Sequence, residues 1–234
     1  MRITYALLAV SLLLSACNKQ SIPYDSAMTV MVDETDPLSV YPSAAALLAY
    51  FNLKEDEWQG ITIKIVGISD KDMNRTETVA LPKESQFTGN SIIRQAKILR
   101  FIEQLQACLS KFNNKHRYPN SIIFRAVAKQ SAQVHRNAAP RKLLLVYSDL
   151  MEHGEANFYQ PETMEMLRHN PGIIEKQLVG NQPLPDLTGL QLWLLYAPEN
   201  YRKNDLYMRV AHLYERLYTA HHATVHIEHQ FAQP

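Results

Sequence analysis

Two apolar runs, more than a hundred residues apart, each end in acidic and hydroxyl side chains. The first run, 28–32, leads directly into Asp33, and the second, 143–147, leads into Ser148 and Asp149. A short continuous apolar run is typical of a strand buried on both faces of a parallel sheet. Because neighbouring parallel strands end at the same edge of a sheet, the two runs predict an oxygen-rich site at that edge.

Strand and helix patterns alternate along the rest of the chain, which indicates an α/β protein with a mostly parallel sheet. The strands at 61–67 and 76–81 follow each other closely enough to pair in the antiparallel sense at a sheet edge. The predicted strands are 28–33, 61–67, 76–81, 142–148, 190–196 and 223–229, and the predicted helices are 43–53, 90–112, 121–134, 162–169, 172–178 and 204–220.

Two of these helices carry specific expectations. In the helix at 90–112, apolar residues that include Ile93, Phe101 and Leu105 recur at helical steps and predict its buried face. The segment at 121–134 begins with residues that also suit a strand, but the later spacing favours a helix, which Asn120 or Ser121 would cap.

The first seventeen residues have the pattern of a targeting segment. Arg2 precedes an apolar stretch at 5–14 that is too short to span a bilayer. The residues that follow, Leu14-Ser15-Ala16-Cys17, resemble the lipobox of bacterial lipoproteins. The resemblance implies a signal peptide at 1–16, acyl chains (palmitate among them) on Cys17 that hold the protein to the membrane, and a lipidated tether at 17–27. An ordinary secretory signal with an incidental cysteine is the alternative.

The residue after the lipidated cysteine bears on location. Asn18 stands where an aspartate would retain such a lipoprotein in the inner membrane, so in a Gram-negative bacterium the resemblance implies the outer membrane, on the periplasmic side.

Composition argues against two classes of ligand. The net charge is only +1 and no basic cluster stands out, so nucleic acid is not an expected partner. The chain has seven glycines and no Gly-x-Gly phosphate loop, which also argues against a nucleotide site.

The order of strands and helices resembles the von Willebrand factor A domain over residues 28–232. The resemblance implies a doubly wound, mostly parallel six-stranded sheet in the order 3-2-1-4-5-6, with one antiparallel edge strand and helices on both faces. In that family the first and fourth strands lie side by side, and a metal-ion-dependent adhesion site is built at their ends.

The residues of that adhesion site are matched in part. Asp33 and Thr35 match the first aspartate and the first hydroxyl of the family motif, Ser121 stands where a threonine opens a later helix, and Asp149 matches the last aspartate. Pro37 occupies the place of the second hydroxyl, so Asp36 is a further candidate ligand. The expected cation is Mg²⁺ or Mn²⁺, because Mg²⁺ takes about six oxygen ligands, several of them water.

Each of these residues also has a simpler interpretation. Asp33, Thr35 and Asp36 suit Asx-type turn hydrogen bonds before Pro37, and Asp149 suits a turn at a strand end. For Ser121 the alternative is the helix cap alone. The motif at 152–155 suits a general base or a second metal contact, although a solvated polar loop is the favoured interpretation.

Taken together, the residues favour a membrane-anchored protein-binding module that engages an envelope protein and is not an enzyme. Two alternatives stay open. One is a metal-dependent hydrolase that uses Asp33, Asp36 and Asp149, although the chain has no Gly-x-Ser-x-Gly nucleophile motif. The other is a structural lipoprotein whose metal site has decayed.

Overall fold

Strands and helices alternate along the chain in the computed structural model, which describes residues 23–35, 37–69, 75–112 and 120–231, without the side chain of Asn181. The strands are β1 (Ser26–Asp33), β2 (Ile61–Ile68), β3 (Thr76–Leu81), β4 (Arg141–Tyr147), β5 (Leu190–Leu195) and β6 (Thr224–Glu228). The helices are α1 (Ala44–Phe51), α2 (Ser91–Phe112), α3 (Ile123–His135), α4 (Pro161–His169), α5 (Pro171–Asn181) and α6 (Tyr201–Ala220).

The sheet has six strands in the order β3-β2-β1-β4-β5-β6, which confirms the predicted order. All neighbours pair in the parallel sense except β3, which runs antiparallel to β2 at the edge. β1 lies at the centre, and its residue Val32 is in register with Gly67 of β2 and Tyr147 of β4. The chain winds in one direction from β1 to β3 and in the other from β4 to β6, so the winding reverses between β1 and β4.

Alternate residues of each central strand supply two separate cores. In β1, Met28, Val30 and Val32 pack on the face that α1 and α2 cover. Ala27 and Met31 point to the other face, where they pack among residues of α3, α4, α5 and α6. This period-two alternation, with apolar residues on both sides, is why β1 reads as a continuous apolar run.

The folded domain begins before residue 28. β1 starts at Ser26, and the amide of Asp25 and the carbonyl of Pro23 already bond to Gly60 and Lys83, so the tether predicted at 17–27 overlaps the sheet at its last residues. Cys17 and the predicted signal peptide lie outside the described residues. Among the helices of the described chain, none is both long enough and apolar enough to cross a bilayer.

The buried face of α2 differs from the prediction in its first turn. Phe101 and Leu105 are buried as expected, but Ile93 is 54% exposed. Arg94 takes the inward position instead and is fully buried, because backbone carbonyl groups and a carboxylate surround its guanidinium group. An apolar periodicity cannot reveal an inward arginine whose partners come from other segments.

Candidate functional site

The carboxylate of Asp33 joins the ends of β1 and β4. Its Oδ1 accepts hydrogen bonds from the backbone amide of Thr35 at 3.0 Å and from the Thr35 hydroxyl at 2.6 Å. Its Oδ2 accepts one from the Ser148 hydroxyl at 2.7 Å. All three residues are buried. The two apolar runs that the sequence placed more than a hundred residues apart therefore meet at their polar ends.

The segment after β4 is a tight turn held by its own side chains. The amide of Leu150 donates to the Ser148 hydroxyl, and the amide of Met151 donates to the Asp149 carboxylate, both at 2.9 Å. Leu150 has a φ of 61°, a left-handed conformation that a non-glycine residue adopts at a cost of order 1–3 kcal/mol. Asp149 is thus the turn residue that one interpretation of the sequence predicted, and it lies next to the Ser148 link to Asp33.

Helix α3 begins at this same edge of the sheet, and its cap was predicted wrongly. Neither Asn120 nor Ser121 caps the helix; the Ser121 hydroxyl donates to the carbonyl of Met151 at 3.4 Å. The amides of Ile123 and Phe124 donate instead to one oxygen of Glu152, both at 2.7 Å. A carboxylate at a helix N-terminus meets unpaired amides and the positive end of the helix dipole, so Glu152 takes over the role of the cap.

Glu152 is not part of a solvated loop, contrary to the sequence expectation. The residue is 1% exposed, and its other carboxyl oxygen has no hydrogen-bond partner among the described residues. The buried hydroxyl group of Tyr214 lies close enough to interact electrostatically with both Glu152 and Asp33. Burial raises the pKa of Glu152 to about 7, because the loss of hydration outweighs the stabilisation of the anion by backbone amides.

This raised pKa predicts a stability that falls as the pH rises. Between pH 4.5 and pH 7 the folded protein keeps the Glu152 proton that the unfolded chain has lost, so the folded state binds more protons. We expect deprotonation of Glu152 to lower the free energy of unfolding by about 3 kcal/mol as the pH rises through this interval, and the decline to level off about one pH unit above 7. Urea unfolding at several pH values measures the decline.

The matched variant for this prediction is Glu152→Gln, which keeps an acceptor for the two amides of α3 but does not titrate. Its stability should lack the part of the decline that Glu152 causes. Parallel pH curves for the wild type and the variant would show that Glu152 titrates normally in the folded protein.

A second buried carboxylate lies beside Asp33. Glu34 is 3% exposed and forms an ion pair of 2.7 Å with Arg75, whose guanidinium group stacks over the ring of Phe112 at 4.0 Å. The Glu34 carboxylate lies against Gly67 of β2, where an added Cβ would come within 2.0 Å of it. Only glycine leaves room for a carboxylate there, so Gly67 lets the end of β2 take part in the polar edge.

The structure brings Asp33, Thr35, Ser121 and Asp149 to one edge of the sheet but differs on their roles. The amide and hydroxyl of Thr35 donate hydrogen bonds to Asp33 as in an Asx-type turn, which confirms the simpler interpretation for these two residues. The Thr35 oxygen still has lone pairs that can accept or coordinate. Pro37 is exposed, and Asp36 lies outside the described residues. Within the part of the chain that the structure describes, no three His, Cys, Asp or Glu side chains form a group able to hold a metal ion. Hydroxyl groups are the other oxygen donors at this edge, on Thr35, Ser121 and Ser148.

Comparison with known proteins does not place the chain in a family. No protein-family model matches the chain. No curated protein matches it significantly either.

Proposed function

We propose that the protein is a lipid-anchored binding module of the bacterial envelope, similar to the von Willebrand factor A domain, that engages a protein partner at the carboxyl edge of its sheet. The observation that carries the proposal is the hydrogen-bonded junction of Asp33, Thr35 and Ser148 between β1 and β4. The winding of the sheet reverses at this point, which is where doubly wound sheets open a ligand crevice.

The hydroxyl groups at the junction fit a hard divalent cation. The Thr35 hydroxyl donates a hydrogen bond to the buried Asp33 carboxylate, so its oxygen keeps lone pairs that can bind a cation. In this arrangement Asp33 does not contact the cation but orients the Thr35 hydroxyl through a hydrogen bond, as carboxylates commonly orient the ligands of metal sites. Thr35, Ser121 and Asp149 are the residues that would hold Mg²⁺ or Mn²⁺, and the cation would supply open positions for an acidic group of the partner.

The direction of the sheet supports an outward-facing site. The amino end of β1 overlaps the end of the predicted tether, and Asp33, the eighth residue of the strand, lies at its other end. Eight residues of parallel strand span about 26 Å. With Cys17 acylated, the carboxyl edge of the sheet would face away from the membrane, towards a partner in the periplasm.

Metal dependence gives the first test. We expect Mn²⁺ or Mg²⁺ to raise the melting temperature of the wild type, since a ligand at a hundred times its dissociation constant stabilises the folded state by about 2.7 kcal/mol. Asp149→Asn keeps an acceptor for the Met151 amide while removing the charge, and should lose most of this shift. Differential scanning calorimetry with and without the cation measures both.

Asp186→Asn is the matched control, because Asp186 accepts the amide of the residue two positions on, Thr188, at 2.9 Å, as Asp149 accepts that of Met151, but lies exposed in the loop before β5. Its response to the cation should equal that of the wild type. A wild-type melting temperature that does not respond to either cation overturns the metal site. Capture of envelope proteins that Asp149→Asn does not weaken overturns the binding surface. Phosphoester turnover that Asp149→Asn abolishes would establish the hydrolase instead.

A further inference from the structure

Large apolar side chains are exposed where the parallel strands begin, at the end of the molecule opposite the candidate site. Phe87 is 89% exposed in the loop before α2, and Ile92 is 80% exposed in the first turn of α2. Ile92 and Leu99, which is 61% exposed, are seven residues apart and so lie on one side of the helix, with the exposed Ala96 between them. We call Phe87, Ile92, Ala96 and Leu99 the amino-edge apolar surface.

The chain enters the domain beside this surface. The carbonyl of Pro23, the first described residue, accepts a hydrogen bond from the amide of Lys83 at 2.8 Å. Two residues on, Asp25 lines a shallow cleft that Phe87 also lines. The chain that precedes Pro23 is therefore joined to the domain beside the cleft that Phe87 lines.

We propose that the amino-edge apolar surface rests on the lipid bilayer to which the chain is anchored, an inference that relies on the proposed acylation of Cys17. Pro23 is the sixth residue after Cys17, and an extended chain covers at most about 3.6 Å per residue, or roughly 20 Å in all. Because the tether is so short, it keeps the amino-edge apolar surface close to the lipid headgroups, and the effective concentration of this surface at the bilayer is therefore high. Apolar side chains that project from such a surface lower their free energy by entering the boundary between headgroups and acyl chains.

The charges around the surface suit the same position. Lys83 and Lys97 flank it, and each pairs with an acidic side chain that is less exposed than its own. The exposed fractions are 53% for Lys83 against 25% for Asp25, and 52% for Lys97 against 25% for Glu84. Lysines of this kind place their charge among lipid phosphates while their methylene groups stay in the apolar layer. Asp56 also lines the cleft, which limits insertion to the projecting side chains.

The test uses the full acylated chain, purified from membranes and reconstituted into vesicles of phosphatidylethanolamine and phosphatidylglycerol that carry a brominated phosphatidylcholine. Bromine in the acyl chains quenches a tryptophan only when the indole enters the apolar layer. We expect Phe87→Trp to lose most of its added emission in brominated vesicles. Tyr201→Trp is the matched control, since Tyr201 is 82% exposed at the start of α6, near the carboxyl edge, and its added emission should be unchanged.

The outcomes separate this surface from the proposed anchor. A protein that no longer floats with the vesicles overturns the anchor at Cys17, and the docked surface with it. A protein that floats while Phe87→Trp stays as bright and as open to aqueous acrylamide as Tyr201→Trp overturns the docked surface alone. Protection of Phe87→Trp from acrylamide without quenching by bromine also overturns it, because the surface would then contact protein, such as a second copy of the chain.

Discussion

Replacing Asp33 by alanine is expected to lower the free energy of unfolding by about 4 kcal/mol, since it leaves three buried donors without their acceptor. These donors are the amide and hydroxyl of Thr35 and the hydroxyl of Ser148, which lie at the ends of two different strands. Each buried donor that loses its partner costs about 1–3 kcal/mol, and rotation of the hydroxyl groups recovers part of this. Urea unfolding at pH 7 measures the loss.

Asp186 provides the control for this variant. Its carboxylate accepts the amide and the hydroxyl of Thr188 at 2.9 and 2.7 Å, which is the same local pattern, but it is 69% exposed. Water can replace an exposed acceptor, so Asp186→Ala should have a much smaller effect. Equal losses for Asp33→Ala and Asp186→Ala would mean that the local turn is all that Asp33 provides and that the link to Ser148 contributes nothing.

The alternation of strands and helices could be predicted from local patterns, whereas the order of the strands was implied by the resemblance to the von Willebrand factor A domain. Each central strand is a short apolar run, each helix has its own period, and alternation of the two restricts the winding. The convergence of Asp33 with the end of β4 followed from this order, since adjacent parallel strands end together. The residue that bonds to Asp33 is Ser148 and not the predicted Asp149, its neighbour in sequence. The turn after β4 decides which of these two side chains faces Asp33.

The cap of α3 could not be predicted in the same way. Helix caps are read from the residues directly before the helix, whereas Glu152 lies 28 and 29 residues after the amides that it accepts. Its sequence neighbours, His153 and Gly154, suggest a polar loop, and nothing local indicates burial. The same applies to Gly67, whose missing side chain matters only because Glu34, the residue that follows β1, fills the space.

Arg94 shows how a buried charge is fixed by contacts distant in sequence. Its guanidinium group donates to the carbonyl groups of Glu57, Gln59 and Pro82, and to the carboxylate of Glu84. These acceptors belong to the segment before β2 and the segment after β3, so one side chain of α2 ties both to the helix. Gln59 in turn precedes Gly60, which bonds to the entering chain at Asp25.

Replacing Arg94 by methionine is therefore expected to lower the free energy of unfolding by about 3–5 kcal/mol, the range typical of removing one partner from a buried charged network. Methionine fills much of the volume but leaves the carbonyl groups without donors. Arg94→Lys should also be strongly destabilising, because a single ammonium group cannot reproduce the planar fork that reaches acceptors on both segments. Chemical denaturation of each variant gives the measurement.

The comparison residue is Arg100, which is exposed on the same helix, and Arg100→Met should change the stability by no more than about 0.5 kcal/mol. A similar small effect for Arg94→Met would show that water enters and replaces the guanidinium group.

The expected large effect has a consequence for the amino-edge apolar surface as well. Because Arg94 holds the segment at 82–84 that leads to Phe87, Arg94→Met should loosen the loop at Phe87 before the sheet unfolds, and hydrogen exchange at residues 84–89 should rise while exchange in β1 and β4 stays slow.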